Sequence, residues 1–195
     1  HTRLTLTLLM MMFVSACSEN AEQANVQETD QAMTANDTFD ASNPFYSAST
    51  LPLQYPAFDQ ITTDHYLPAF ERGMAEHIEE IAVIVNQVAD PTFENTMLPL
   101  EESGELLNCV ATVFFAMSSA HTNDDINEIE VEIAPKLSTH QDQIFLDAGL
   151  FARVQNLYER RDSLGLDAES VRLIEENYKD FIRAGAQLDG EQKEQ

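Results

Sequence analysis

Across residues 92–117 of this chain, TFENTMLPLEESGELLNCVATVFFAM, the apolar side chains return every three or four positions. Met97, Leu100, Leu107, Val110, Phe114 and Met117 therefore share one face of a helix, with one longer step across Ser103 and Gly104. A stripe of that kind must be buried against other elements, which excludes a fold in which this segment stands alone. Thr92 stands where an N-cap belongs, and Glu94 lies in the first turn, where unpaired amides favour a negative charge. Pro99 falls too late to be a first-turn proline, so it predicts a kink within the first two turns.

The same period recurs on both sides. Leu67, Phe70, Met74, Ile78, Ile81, Val85 and Val88 define a preceding helix, with Thr63 or Asp64 as its cap and Pro68 in its first turn. Asp90-Pro91 ends the connection after only a few residues, so this helix and the central one are expected to form an antiparallel hairpin. Residues 121–124 make the next turn. Ile126, Ile129, Ile133 and Leu137 then predict a third helix that Pro135 bends or restarts and that Ile144 and Phe145 carry on to Asp147. Ala148-Gly149 is read as a break, after which Leu150, Val154 and Leu157 open a fourth helix ending in the basic pair Arg160-Arg161. Asp167 caps a fifth, built on Val171, Ile174, Tyr178, Phe181 and Ile182. Alternation of period two is absent, and so is a fixed-period repeat, so the fold class expected is all-α.

Charge narrows the partners. The 195 residues carry 34 acidic and 10 basic side chains, a formal net charge of −24, and residues 73–135 contain no Lys or Arg. Such a chain does not offer the basic surface that nucleic acid requires. A solvated acidic face accounts for the excess, with attraction of basic peptides or cations as the functional alternative.

The first residues read as an address. Arg3 precedes an apolar run, residues 4–14, too short to span a bilayer and followed by small residues, which is the pattern of a secretory signal over 1–16. Val14-Ser15-Ala16-Cys17 resembles the lipobox of bacterial lipoproteins, in which the new amino-terminal cysteine is acylated; an ordinary cleaved signal with an incidental cysteine is the plainer alternative. Cys17 would then tie the chain to the lipid bilayer of a bacterial cell envelope, facing the periplasm. The absence of Asp after the cysteine favours the outer membrane. Residues 17–42 hold almost nothing to bury and are expected to be a disordered acidic tether. Folded structure is expected over 43–189, opening with an extended, proline-punctuated arm whose aromatics Phe45, Tyr46, Tyr55 and Phe58 pack on helices, and 190–195 reads as a truncated end.

Site chemistry is sparse. The helical zinc motif H-E-x-x-H is absent, and although His77 and Glu80 lie one turn apart, such a pair on a helix surface is ordinarily just solvated. Cys109 lies near the apolar face of the central helix, where a free cysteine behaves as a small hydrophobe, and it has no partner for a disulfide once Cys17 is acylated. Glycines are too few for a phosphate-binding loop. Neither a catalytic nor a metal-binding set of residues is visible.

A resemblance adds what the residue types do not. Asn43-Pro44-Phe45, Pro56-Ala57-Phe58-Asp59-Gln60-Ile61, His65-Tyr66-Leu67-Pro68-Ala69-Phe70, Thr92-Phe93-Glu94-Asn95-Thr96 and Ala134-Pro135-Lys136-Leu137-Ser138 occur in an order and spacing that resembles the N-terminal region of the thimet oligopeptidase and peptidyl-dipeptidase family of zinc metallopeptidases. Leu150-Phe151-Ala152-Arg153-Val154 and Phe181-Ile182-Arg183-Ala184-Gly185-Ala186 extend the likeness, and residues 43–61 look closest to its bacterial dipeptidyl carboxypeptidase branch. The resemblance implies antiparallel helical hairpins forming part of one wall of a larger, two-halved enzyme with a deep channel. It implies short peptides as substrates, with dipeptides released from their C-termini. It also implies a zinc ion held by a missing C-terminal catalytic part of the same polypeptide, so that this piece alone is inactive. A complete, non-catalytic helical lipoprotein serving as a binding or scaffold module is the competing expectation.

Overall fold

Helical periodicity is met throughout. The computed structural model describes residues 39–187, which contain α1 (Tyr66–Val85), α2 (Leu98–Glu102), α3 (Glu105–Ala120), α4 (Asp124–Phe145), α5 (Ala148–Arg160) and α6 (Ala168–Ala184). Among the described residues there is no strand, as the all-α reading requires, and no helix long and apolar enough to cross a membrane. The signal segment, Cys17, most of the acidic tether and the end of the chain lie outside the described residues.

Side-chain pairs fix the topology. Tyr66 and Phe70 of α1 meet Phe114 of α3 at ring separations of 5.0 and 5.3 Å, while His77 lies 3.1 Å from Ser103 just before α3, so the two helices run antiparallel. A Cβ on Gly73 would come within 2.9 Å of the Leu107 backbone, so glycine is what allows α1 and α3 this close an approach. After the turn at 121–123 the chain reverses, and α4 runs back parallel to α1, with Lys136 on Glu71 at 2.6 Å and His140 on His77 at 3.0 Å. A second antiparallel hairpin follows, in which Tyr158 of α5 stacks on Tyr178 of α6 at 3.9 Å and Phe151 meets Phe181 at 5.9 Å. Asn123, Asp147 and Asp167 cap α4, α5 and α6 by accepting N–H bonds from Ile126, Leu150 and Ser170 at 2.9, 2.7 and 2.8 Å, each worth about 1 kcal/mol.

Several local expectations are corrected. The central segment is not one kinked helix. Thr92 caps it as expected, accepting from Asn95 at 3.2 Å, but residues Phe93–Met97 form a wide π-turn and the chain breaks at Ser103-Gly104. Pro99 sits in the first turn of α2, where its missing N–H costs little. The carbonyl four residues before it, Asn95, takes its bond from Gln87 Nε2 at 3.1 Å instead. Gly104 makes the break possible because its φ is +72°, a left-handed conformation that side chains with a Cβ resist. Pro135, in contrast, neither stops nor restarts α4; it is exposed, and its helix runs through 22 residues. The carbonyl it leaves unbonded belongs to Val131, on the solvent side, where water can serve it. Thr62, not Thr63 or Asp64, closes the turn before α1, its N–H donating to His65 Nδ1 at 3.0 Å. Val88 lies past the end of α1 and is fully exposed. Ala148-Gly149 opens α5, and the break falls at Leu146-Asp147.

The arm is anchored at its two ends, where Phe45 and Ile61 pack on the cluster around Phe114. Asn43 is buried, donates from Nδ2 to the His65 carbonyl at 3.0 Å and accepts the Phe45 N–H at 3.0 Å, which delivers Phe45 onto Tyr66. Tyr46, Tyr55 and Phe58 remain exposed, against expectation, because the three prolines and the 3₁₀ turn Pro52–Gln54 carry the backbone away from the helices.

Two apolar clusters result. One gathers Phe45, Tyr66, Ala69, Phe70, Val110, Val113, Phe114, Ile126 and Ile133. The other gathers Ile81, Ile84, Met97, Ile144, Leu150, Phe151, Val154, Leu157, Ile174 and Phe181. Both draw on α1 and α4, and between them along those helices lies a polar band.

Candidate functional site

The band is where the structure concentrates unsolicited polarity. His77 comes from the middle of α1 and His140 from α4, and the break between α2 and α3 supplies Ser103 and Gly104. His140 is only 7% exposed, an unusual depth for an imidazole, and its Nε2 lies 3.0 Å from His77 Nδ1. On its other side His77 Nε2 lies 3.1 Å from Ser103 Oγ. Glu80, one turn further along α1, accepts the Gly104 N–H at 2.7 Å. The sequence placed His77 and Glu80 together as a conceivable ligand pair; in the fold each turns instead to a different backbone or side-chain partner.

The direction of the hydrogen bonds can be assigned from the network. Ser103 Oγ donates its one proton to the Leu100 carbonyl at 2.7 Å, so at the 3.1 Å contact His77 Nε2–H must be the donor. Neutral His77 then has a bare Nδ1, which accepts from His140 Nε2–H. Burial lowers the proton affinity of both rings. For His77 the neighbouring Glu80 carboxylate opposes that effect, and for His140 the His77 ring reinforces it. A hydroxyl beside an imidazole invites a nucleophile-and-base reading. Here it fails, because the proton of Ser103 is committed to a carbonyl and His77 gives a proton to the serine instead of taking one.

Above the band opens a groove of about 780 Å³. Leu100, Leu107, Leu137 and Phe145 provide apolar lining, and Glu101, Glu102 and Glu105 stand on its rim, with Asn177 of α6 donating to Glu101 at 3.0 Å. The groove is open to solvent and, among the described residues, no Lys or Arg lines it, so with its two histidines neutral its chemistry suits apolar side chains and positive charge.

Metal and thiol chemistry find little here. Among the described residues no group of three or more His, Cys, Asp or Glu is placed to hold a metal ion. Cys109 is exposed, not on the buried face, because it precedes the core residue Val110 by one position and so points about 100° away around the helix. Partial burial and the Glu105 carboxylate one turn earlier push its thiol up, away from the reactive thiolate.

One further polar centre escaped the sequence. Arg153 of α5 is 7% exposed and, among the described residues, its guanidinium meets only neutral oxygens: Thr96 Oγ1 at 3.2 Å, the Gln87 and Ala89 carbonyls at 3.3 and 3.2 Å, and Asn95 Oδ1 at 2.9 Å. It clamps α5 to the connection that leaves α1 and enters the π-turn. In the sequence it stood only as one letter of a family-like run, and His140 and Ser103 carried no signal at all, since nothing local tells which way each faces.

No family model matches the chain. Comparison with known proteins gives a dipeptidyl carboxypeptidase of Escherichia coli K12, 49% identical over 146 residues, which is 75% of this chain and 21% of that protein. A dipeptidyl carboxypeptidase of Salmonella typhimurium LT2 is 46% identical over 153 residues, 78% of this chain and 22% of that protein. An oligopeptidase A of Escherichia coli K12 is 22% identical over 143 residues, 73% of this chain and 21% of that protein. The chain spans about a fifth of the length of these curated relatives. Over about three quarters of its own length it is thus homologous to dipeptidyl carboxypeptidase and oligopeptidase A.

Proposed function

We propose that this chain is the N-terminal part of a zinc-dependent oligopeptidase that hydrolyses short peptides and releases dipeptides from their C-termini. The observation that carries the reading is the 49% identity to a dipeptidyl carboxypeptidase across 146 residues that make up only 21% of that protein. On this reading the helices form part of a wall beside the substrate channel and shape what can enter it. The described residues do not fit a zinc site, since their two buried-facing histidines are bound to each other and to Ser103, and no third ligand joins them. On this reading the zinc belongs to a C-terminal catalytic part of the same polypeptide, and no step of the hydrolysis is derived from the described residues. The same proposal keeps Cys17, also outside the described residues, as the acylated residue that holds the enzyme to a bacterial envelope membrane on the periplasmic side.

Reading the gene beyond the Gln195 codon is the first test. The expected result is an open frame of several hundred codons with H-E-x-x-H and a later glutamate. The purified full-length product should then release C-terminal dipeptides from an N-acetylated tetrapeptide, lose that activity to a chelator and regain it with zinc. A stop codon directly after Gln195, or a full-length product that leaves the blocked peptide intact, would overturn the proposal and favour a non-catalytic helical module.

A further inference from the structure

The polar band has a property that stands independently of the peptidase reading. Three segments meet there through one chain of hydrogen bonds, His140 Nε2–H to His77 Nδ1, His77 Nε2–H to Ser103 Oγ, and Ser103 Oγ–H to the Leu100 carbonyl, at 3.0, 3.1 and 2.7 Å. The chain is directional, and it has room for one extra proton only. A first proton can enter at His140 Nδ1, which leaves the Nε2–H donation to His77 unchanged. A second must enter at His77 Nδ1, the atom that now accepts, and would set two N–H groups against each other across 3.0 Å. The pair can take that proton only by separating.

We propose that the His77–His140 pair is a proton-operated latch: neutral or singly protonated it holds the Ser103-Gly104 break against α1 and α4, and double protonation releases the break and changes the groove above it. The release loosens the two-residue Ser103-Gly104 break between α2 and α3, where Gly104 has φ +72° and an added Cβ would lie 2.8 Å from His77 Nδ1. Charged neighbours set the direction of movement. Glu80 acts on His77 from α1, and Glu101 and Glu102 of α2 and Glu105 of α3 line the same groove as the pair. On α4, Lys136 lies on the far side of His140, held by Glu71 and Glu132, while α6 brings the uncharged Asn177. Imidazolium groups would therefore be drawn towards the carboxylates on the rim and away from each other.

The sign follows from the burial of the rings. Both histidines hold protons less well in the fold than in the unfolded chain, where the ordinary value is about 6.5. The latch contributes its stability above that pH and loses it as pH falls through the folded values, because the unfolded chain then takes up protons that the folded pair refuses.

Imidazole NMR titration of the isotope-labelled 195-residue chain tests the proposal without any substitution. Both rings should titrate below about pH 6.5 and in two separate steps, as a coupled pair must. Over the same range the exchange protection of the Gly104 and Asn108 amides, which bond to Glu80 and to the Gly104 carbonyl, should fall about tenfold while that of Leu157 in α5 holds. His140→Gln, a side chain that does not titrate, should abolish the fall, and Glu80→Gln, which removes the carboxylate that favours protonated His77, should move it to lower pH. Independent titration of the two rings at the ordinary value, or equal loss of protection at Gly104 and Leu157, would overturn the latch. If His140→Gln does not fold, the titration of the unsubstituted chain decides alone.

Discussion

The two apolar clusters share α1 and α4 yet are closed by different means. Around Phe114 the helices approach until the α1 and α3 backbones nearly touch at Gly73, and the seal is a set of edge-on rings, Tyr66, Phe70 and Phe115 within 5.0–5.3 Å of Phe114. Around Leu150 and Phe181 the apolar fit is completed by a buried cation, Arg153, which gathers the carbonyls of a connection that has no regular structure of its own. One end therefore depends on shape and the other on polar satisfaction. Shape fails gradually as atoms are removed, whereas a half-satisfied buried network fails with its first missing partner.

The largest effect should come from Phe114→Ala. Removing a fully buried ring should cost about 3–5 kcal/mol, seen as a lowered urea midpoint of the 195-residue chain, and a loss below about 1 kcal/mol would show that this end is not close-packed. Arg153→Met keeps the stem but leaves the Gln87 and Ala89 carbonyls without their donor, at an expected cost of about 2–3 kcal/mol. Its signature is selective: amide protection should fall in α5 and at residues 86–92 before it falls at Val110 or Val113. Equal loss at both ends would merge the two clusters into one cooperative unit. Arg153→Lys should recover little, because a point charge cannot span acceptors arranged for a fork. The smallest effect should come from Lys136→Ala. Its bonds to Glu71 and Glu132, at 2.6 and 2.9 Å, lie on a partly exposed surface, so the loss should stay below about 1 kcal/mol and shrink further in high salt.

What the sequence made legible was whatever repeats along one element. The stripes of α1, α3 and α4, the caps Thr92 and Asp167, and the α1–α3 hairpin all follow from periodicity and turn chemistry, and Phe70 and Phe114 fall in the core as their spacing requires. What it concealed depends on how elements turn towards each other. His77 and His140 are 63 residues apart, and no local pattern says that their rings meet. Gly104 registered as a gap in a stripe, while its backbone is the joint that divides one helix into two. Cys109 was misplaced by a single step of the helical wheel, and Pro99 was expected to kink a helix that the preceding π-turn had already adapted to it. The arm misled for a different reason: aromatic content implies burial only where the backbone can reach a helix, and beyond Phe45 the prolines prevent it.

The clamp at Arg153 also ties together segments that are far apart in the chain. Its acceptors lie 57 to 66 residues earlier in sequence, a span comparable to the 63 residues between His77 and His140. Closing loops of this size requires chain entropy to be surrendered before the contacts compensate for it. The guanidinium reaches all its acceptors only in a geometry where α1 ends at Val85 and Pro91 leads into the π-turn. An error in that connection would leave α5 with a cation it cannot satisfy, so Arg153 makes the seating of α5 depend on the course taken by residues 87–96.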